Sequence, residues 1–292
     1  MTTQQSVLSA VLALMVFSVA LELRVDDFRR VAQMPKAVLC GLIPQFVLLP
    51  VGTWLATLWL NLPTSMEAAM ILVACCPGGS LSNVVTHIGR GNTALSVTIS
   101  AVAALLALVL TPLNFSWMVA ANPGTAGWLR SLQIVPRDIL FSLLAILAVP
   151  MLLGLAFAHR LPGLTQKIRK PLANLSLALL LLFIAAGLYR ERQLLDVQIF
   201  LPLLIVVLHN ASGLTFGWLT STAMRVAERD RRAVMIEGGM QNSGLALGII
   251  ALQFGNDLNM VIIASLWGIW HIVSGLSLAV YWRNADAAQS SA

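Results

Sequence analysis

The amino-acid sequence predicts an all-α polytopic membrane protein. It is read as one unit over residues 1–292 with nine transmembrane helices, inverted-topology repeats and two broken helices crossing at the midplane. Three observations lead there. Of the 292 residues, 58% are hydrophobic and 10% are charged, with a mean hydropathy of +0.85; a soluble domain carries about 25% charged residues. The apolar residues fall into runs long enough to cross about 30 Å of hydrocarbon at about 1.5 Å per helical residue. Two of those runs, far apart in the chain, are interrupted by glycine pairs followed by polar side chains.

The runs lie at roughly 5–22, 37–61, 66–88, 92–114, 136–158, 172–189, 199–220, 232–254 and 259–282. They are rich in Leu and Ala and do not alternate, which excludes the short alternating strands of a membrane barrel. The opening "MTTQQS" has no basic region and no small-residue cleavage site follows span 1, so that span is expected to persist as a helix. Residues 115–135, the longest connection, contain "AANPGTAGW", a loop composition. Cys40, Cys75 and Cys76 lie inside spans without C-x-x-C spacing, which predicts packing residues and no metal or disulfide framework.

Basic residues orient the spans, because Lys and Arg gather in cytoplasmic loops. Fourteen of the 18 fall in the loops after spans 1, 3, 5 and 7 and in the C-terminal tail; Arg130, Arg137, Arg190 and Arg192 fall on the other side. An external N-terminus and a cytoplasmic C-terminus follow. The pI near 9.9 then needs no nucleic-acid partner, since the charge is spread over separate loops.

The first break is "VACCPGGSLSNVV" (73–85) and the second "EGGMQNSGLAL" (237–247). Span 3 runs inward and span 8 outward, so the two matched motifs point in opposite directions, as in an inverted repeat. A broken helix exposes N–H groups at the start of its second half and C=O groups at the end of its first half. Such groups are tolerated only where they are buried in protein or line a watery cavity. The half-helix N-termini attract anions and the freed carbonyls attract cations. Two ordinary glycine kinks in a packed bundle are the plainer alternative.

One carboxylate stands out. Asp26, Asp27, Asp138, Glu191, Asp196, Glu228, Asp230 and Asp257 read as loop residues, Glu22 and Glu67 as interfacial, and Asp286 as part of the tail. Glu237 alone sits at a break inside a span, with Arg232 more than a turn away at the cytoplasmic edge. An ionised carboxylate there calls for a compensating cation, unless it is protonated. Oxygen ligands are near in sequence: Ser82 and Asn83 after the first break, Ser96 and Ser100 on one face of span 4, Gln241, Asn242 and Ser243 after the second break, and Gln45 in span 2. His209 reads as a packing histidine, His271 as a packing or cavity-lining group, and Trp267 and Trp270 as packing residues.

Taken together, "CCPGGSLSNVVTHIGRGNTALSV", "EGGMQNSGLAL" and "WHIVSG", with "PQF" in span 2 and "VVLHN" in span 7, resemble the bile acid:sodium symporter family along essentially the whole chain. The resemblance implies a bacterial member with sodium-driven uptake of organic anions by alternating access. It implies a core domain near 37–114 and 199–283 and a panel domain near 5–22 and 136–189. It puts one sodium among Ser82, Asn83, Ser96, Ser100 and Glu237. A second falls among Gln45, Glu237, Gln241 and the carbonyls of Gly238 and Met240. Ser80, Asn242 and His271 would face substrate, a small hydroxy or keto acid such as pantoate or a bile-acid-like anion. Departures are Ser80 and Ser100, where members often have Thr, and Ile272, where Asn often follows the histidine. Bacterial members commonly have ten spans, and nine are counted here.

Other function classes remain to be weighed. Proton coupling through Glu237 is the alternative within transport. An intramembrane enzyme using Ser82 or Ser243 with a histidine lacks a G-x-S-x-G elbow and an orienting acid. No Walker motif is present, so no ATP-driven step is expected from this chain. Sodium ions are the only coupling ions implied, with no other cofactor, in a multi-pass protein of the lipid bilayer, the bacterial inner membrane.

Overall fold

The computed structural model describes residues 3–190, 199–255 and 257–290. In order, the helices are α1 (Thr3–Glu22), α2 (Val25–Gln33), α3 (Pro35–Leu60), α4 (Thr64–Cys75), α5 (Ser80–Ile88), α6 (Thr93–Ala121) and α7 (Pro123–Ser131). They continue with α8 (Pro136–Arg160), α9 (Pro162–Arg190), α10 (Phe200–Ala223), α11 (Glu228–Gly239), α12 (Ser243–Gln253) and α13 (Leu258–Ser290). Among the described residues the sole β feature is an antiparallel bridge between Gly78 and Gln241. Among the described residues five helices, α3, α6, α8, α10 and α13, are each long and apolar enough to cross a bilayer. Leu152, Leu153, Leu182, Leu208 and Ile269 point outward and are exposed, a surface suited to hydrocarbon rather than water. The chain is a multi-pass membrane protein.

Proline shapes α3. Pro44 cannot donate a hydrogen bond inside a helix, and the chain accommodates it with a π turn over Pro44–Leu48, closed by Leu49 N donating to Pro44 O. That turn carries Gln45, which is fully buried.

Several segments are more ordered than their composition implies. The stretch read as a loop after span 1 opens with helix α2. Its buried Asp27 accepts from Arg24 N at 3.1 Å and pairs with Arg30 at 2.9 Å. In the 115–135 connection, α6 runs on to Ala121 and Asn122 caps α7, accepting from Gly124 N at 2.8 Å. "NPG" is here an N-cap followed by proline in the first turn, not a loop. Glu67 is buried, accepting from Leu62 N at 3.0 Å and Asn122 Nδ2 at 3.4 Å. Asp230 is helical, because α11 starts at Glu228, and Asp286 lies on α13, which extends through the expected tail. Glu191, Arg192 and Asp196, expected in a loop, lie outside the described residues.

The largest apolar core joins Leu12 and Val16 of α1 to Ile71 and Leu72 of α4, Leu143 and Leu147 of α8, and Ile249 and Ile250 of α12. α1 packs on α8 and α9, and α10 packs on α11. Gly213 and Gly217 make the second contact possible. A Cβ on Gly213 would stand 2.5 Å from Gly238 O, and one on Gly217 2.8 Å from Val234 O. Small residues four apart allow this close backbone approach, as they do in many membrane bundles.

Candidate functional site

The two interruptions meet. α4 and α5 are separated by residues 76–79, and α11 and α12 by 240–242. Asn242 N donates to Pro77 O at 2.7 Å, beside the Gly78–Gln241 bridge. With its amide oriented to complement its surroundings, the Gln241 nitrogen donates to Cys76 O at 2.7 Å and Pro77 O at 3.3 Å. Each break therefore satisfies part of the other's main chain, which resolves the cost of stopping a helix at membrane depth. Side chains close two more carbonyls: Thr111 Oγ1 donates to Cys75 O at 2.6 Å, and Asn210 Nδ2 to Gly239 O at 2.6 Å. Sequence reasoning missed both roles. The available signal was a polar side chain inside an apolar run, and that alone does not say which distant carbonyl it meets.

Glu237 is fully buried in α11, near the end that meets the crossing. Its Oε1 lies 2.6 Å from Ser82 Oγ and 3.1 Å from Ser100 Oγ, and it accepts a still closer hydrogen bond from Ser96; Oε2 lies 3.1 Å from Ser100 Oγ. Asn83 Oδ1 stands 2.8 Å from Ser96 Oγ and 3.4 Å from Ser100 Oγ. Ser82 lies in the first turn of α5, while Ser96 and Ser100 share one face of α6, so three helices converge on the carboxylate. The turn "GRGN" brings α6 back along α5, with Asn92 Oδ1 accepting from Leu95 N at 3.1 Å to start it.

The three hydroxyls have one proton each, and Glu237, Asn83 and Gly79 O all lie within their reach. This acceptor-rich set of hard oxygens around one carboxylate suits a small hard monovalent cation. Among the described residues, no three His, Cys, Asp or Glu side chains converge as a metal cluster.

A second set gathers around Gly78. A Cβ there would lie 2.8 Å from Gln45 Nε2, 2.9 Å from Glu237 Oε2 and 3.4 Å from Met240 O, so only glycine fits without displacing them. Gln45 Nε2 donates to Glu237 O at 3.4 Å, and its buried Oε1 meets no donor among the described residues. The Gly238 carbonyl, by contrast, abuts Gly213 of α10.

Ser80 is the exposed first residue of α5, and Asn242 caps α12, accepting from Leu245 N at 2.9 Å. Asn242 and Pro77 also line a narrow cleft whose other wall is Met15 and Val16 of α1 and Leu147 and Met151 of α8. Ser80 and the buried His271 do not line it. His209 packs as expected, 2.7 Å from Thr53 Oγ1 and with its ring tilted against the buried Trp267, the centroids 4.8 Å apart. Thr53 gives its single proton to Leu49 O at 2.7 Å, which leaves Nε2 of His209 as the donor between them.

Two broken helices paired at a buried carboxylate, in a multi-pass helical protein, define a secondary transporter rather than an enzyme. The family model for the Sodium Bile acid symporter family matches residues 9–196, and the chain belongs to that family. It is 32% identical over 279 residues to YocS of Bacillus subtilis, named an uncharacterized sodium-dependent transporter, covering 96% of this chain and 84% of that one. It is 31% identical over 282 residues to the probable chloroplastic sodium/metabolite cotransporter BASS1 of Arabidopsis thaliana, covering 95% of this chain and 67% of that one. To the human ileal sodium/bile acid cotransporter it is 26% identical over 260 residues, covering 88% of this chain and 72% of that protein. These relatives are named as transporters, and sodium is the coupling ion of the family.

Proposed function

We propose that the protein imports a small organic anion with sodium, by alternating access, across a bacterial inner membrane. In this reading nine spans leave the N-terminus outside and the C-terminus in the cytoplasm. The observation that carries it is the buried Glu237 carboxylate met by hydroxyls from two other helices. One sodium is held by Glu237, Ser82, Asn83, Ser96 and Ser100. A second is held by Gln45, Glu237, Gln241 and main-chain carbonyls. The orphaned Gln45 Oε1 favours this second position, and Met240 O is better placed for it than Gly238 O, which abuts α10.

The chemistry is electrostatic. A cation between α5, α6 and α11 neutralises Glu237 and draws the three helices together. The same step fixes the starts of α5 and α12, whose partial positive charge favours a substrate carboxylate in the cleft. Substrate stands between a core of spans 2–4 and 7–9 and a panel of spans 1, 5 and 6, and the core moves against the panel as a body. Ser80, Asn242 and His271 are the substrate-facing candidates, with Asn242 the best supported because it lines the cleft. A small hydroxy or keto acid such as pantoate fits a cleft this narrow better than a bile-acid-like anion does.

Uptake into proteoliposomes tests the reading. At fixed pH, an inward sodium gradient should accumulate the anion, and an equal potassium gradient should not. Accumulation that ignores sodium and follows a proton gradient would transfer the coupling role of Glu237 to the proton.

A further inference from the structure

Glu237 has a second support at the other end of its helix. Arg232 lies five residues earlier on α11, about 7.5 Å along the axis. It is buried at 8% exposure, unusual for an arginine. Its guanidinium spans three elements. Nη1 donates to Gly89 O, the carbonyl at the end of α5, at 3.1 Å. Nη1 and Nη2 each reach an oxygen of Asp286 on α13 at 2.7 Å, a bidentate pair. The group also lies 5.5 Å from the ring of Trp282, one turn earlier on α13, and Nε meets Glu228 at 3.3 Å.

Its neighbours stitch the same end. Asn92 N donates to Arg229 O at 2.8 Å, Asn92 Nδ2 to Asp230 at 2.8 Å, and Arg229 Nε to Arg90 O at 3.3 Å. The α5–α6 turn is thereby fastened to the first turns of α11. At the opposite end the same three helices meet at Glu237, through Ser82, Ser96 and Ser100. α5 has nine residues, too few to hold a helix unaided. Its position relative to α11 therefore depends on contacts at both ends. A cation at its C-terminal carbonyl also complements its dipole.

We infer that Arg232, oriented by Asp286 of the C-terminal helix, is a positioning residue for the ion site: it sets the register of α5 against α11 so that Ser82 and Glu237 meet at coordinating distance. The C-terminal helix then takes part in ion binding without touching the ion. This rests on the sodium-coupled reading above.

The test is a sodium titration of melting temperature on the purified full chain at constant ionic strength. Asp286→Asn keeps the shape and removes the charge that orients Arg232. It should raise the sodium concentration for half-maximal stabilisation about threefold to thirtyfold, while the sodium-free melting temperature moves by less than about 4 °C. Asp286→Glu should restore most of the sodium response, and Arg232→Lys, which keeps charge but loses the bidentate fork, should fall between. An unchanged sodium midpoint in Asp286→Asn and Arg232→Lys would overturn the inference, and so would a lowered sodium-free melting temperature at an unchanged midpoint. Wild-type protein that sodium fails to stabilise would instead overturn the sodium reading beneath it.

Discussion

In the proposed reading, Glu237 concentrates the chemistry of this protein in one side chain. Its burial was legible from sequence, because no other acid sits at a break inside an apolar run. Replacing it with Gln keeps the volume and removes the charge. Sodium stabilisation and sodium-driven uptake should both be lost, while the protein still folds, since the uncompensated buried charge is gone as well. Melting curves and uptake assays on one preparation check both halves of that expectation. Ser100→Ala removes a neutral ligand and should do less, weakening sodium binding about tenfold or less. Thr111 and Asn210 were not legible in the same way. A lone hydroxyl or amide in a span usually bonds a neighbouring helix, and nothing local tells which carbonyl it will cap.

At the scale of elements, the glycines decide how closely helices approach. Gly238 and Gly239 were readable as a break; the structure keeps both in the last turn of α11, with the break following at 240–242, and adds their fit against α10. Gly213→Ala should drive a Cβ into Gly238 O, separate α10 from α11, and cost about 1–3 kcal/mol. A fall in melting temperature with and without sodium would register that strain; an unchanged melting temperature would show that the helices slide to accept it. Some elements were misread for definite reasons. α2 looked like a loop because its charges were counted and its caps were not. The segment around Asn122 looked like a loop because Pro and Gly were taken as breakers, whereas proline after a capping Asn begins a helix. The ion pair of Arg232 with Asp286 joins residues 54 apart in sequence, so neither local spacing nor helix periodicity points to it.

The whole molecule follows from where its apolar faces go. Composition alone placed it in a bilayer, and the matched breaks pointed to a candidate site where the two halves of the chain meet. The proposed division into moving bodies belongs to this scale. α1 packs on α8 and α9, and the cleft between them and the crossing is lined by Met15, Leu147 and Asn242. A bifunctional reagent joining cysteines introduced at Met15 and Leu245, on opposite walls of that cleft, should stop transport yet leave sodium stabilisation measurable. Undiminished transport after verified cross-linking would show that the walls do not move apart. Reporters at the two ends should read opposite sides of the membrane, external before Met1 and cytoplasmic after Ala292, as an odd number of spans requires.

If sodium binds at the crossing through Glu237, equilibrium binding will show it without requiring the substrate. Purified protein is melted at fixed pH in sodium chloride and in potassium chloride of equal ionic strength, wild type beside Glu237→Gln. A ligand at ten times its Kd stabilises the folded state by about 1.4 kcal/mol. The account predicts a melting temperature that rises with sodium but not potassium in the wild type and responds to neither in the variant. Equal curves in the two salts, or a sodium response that survives in Glu237→Gln, would contradict it.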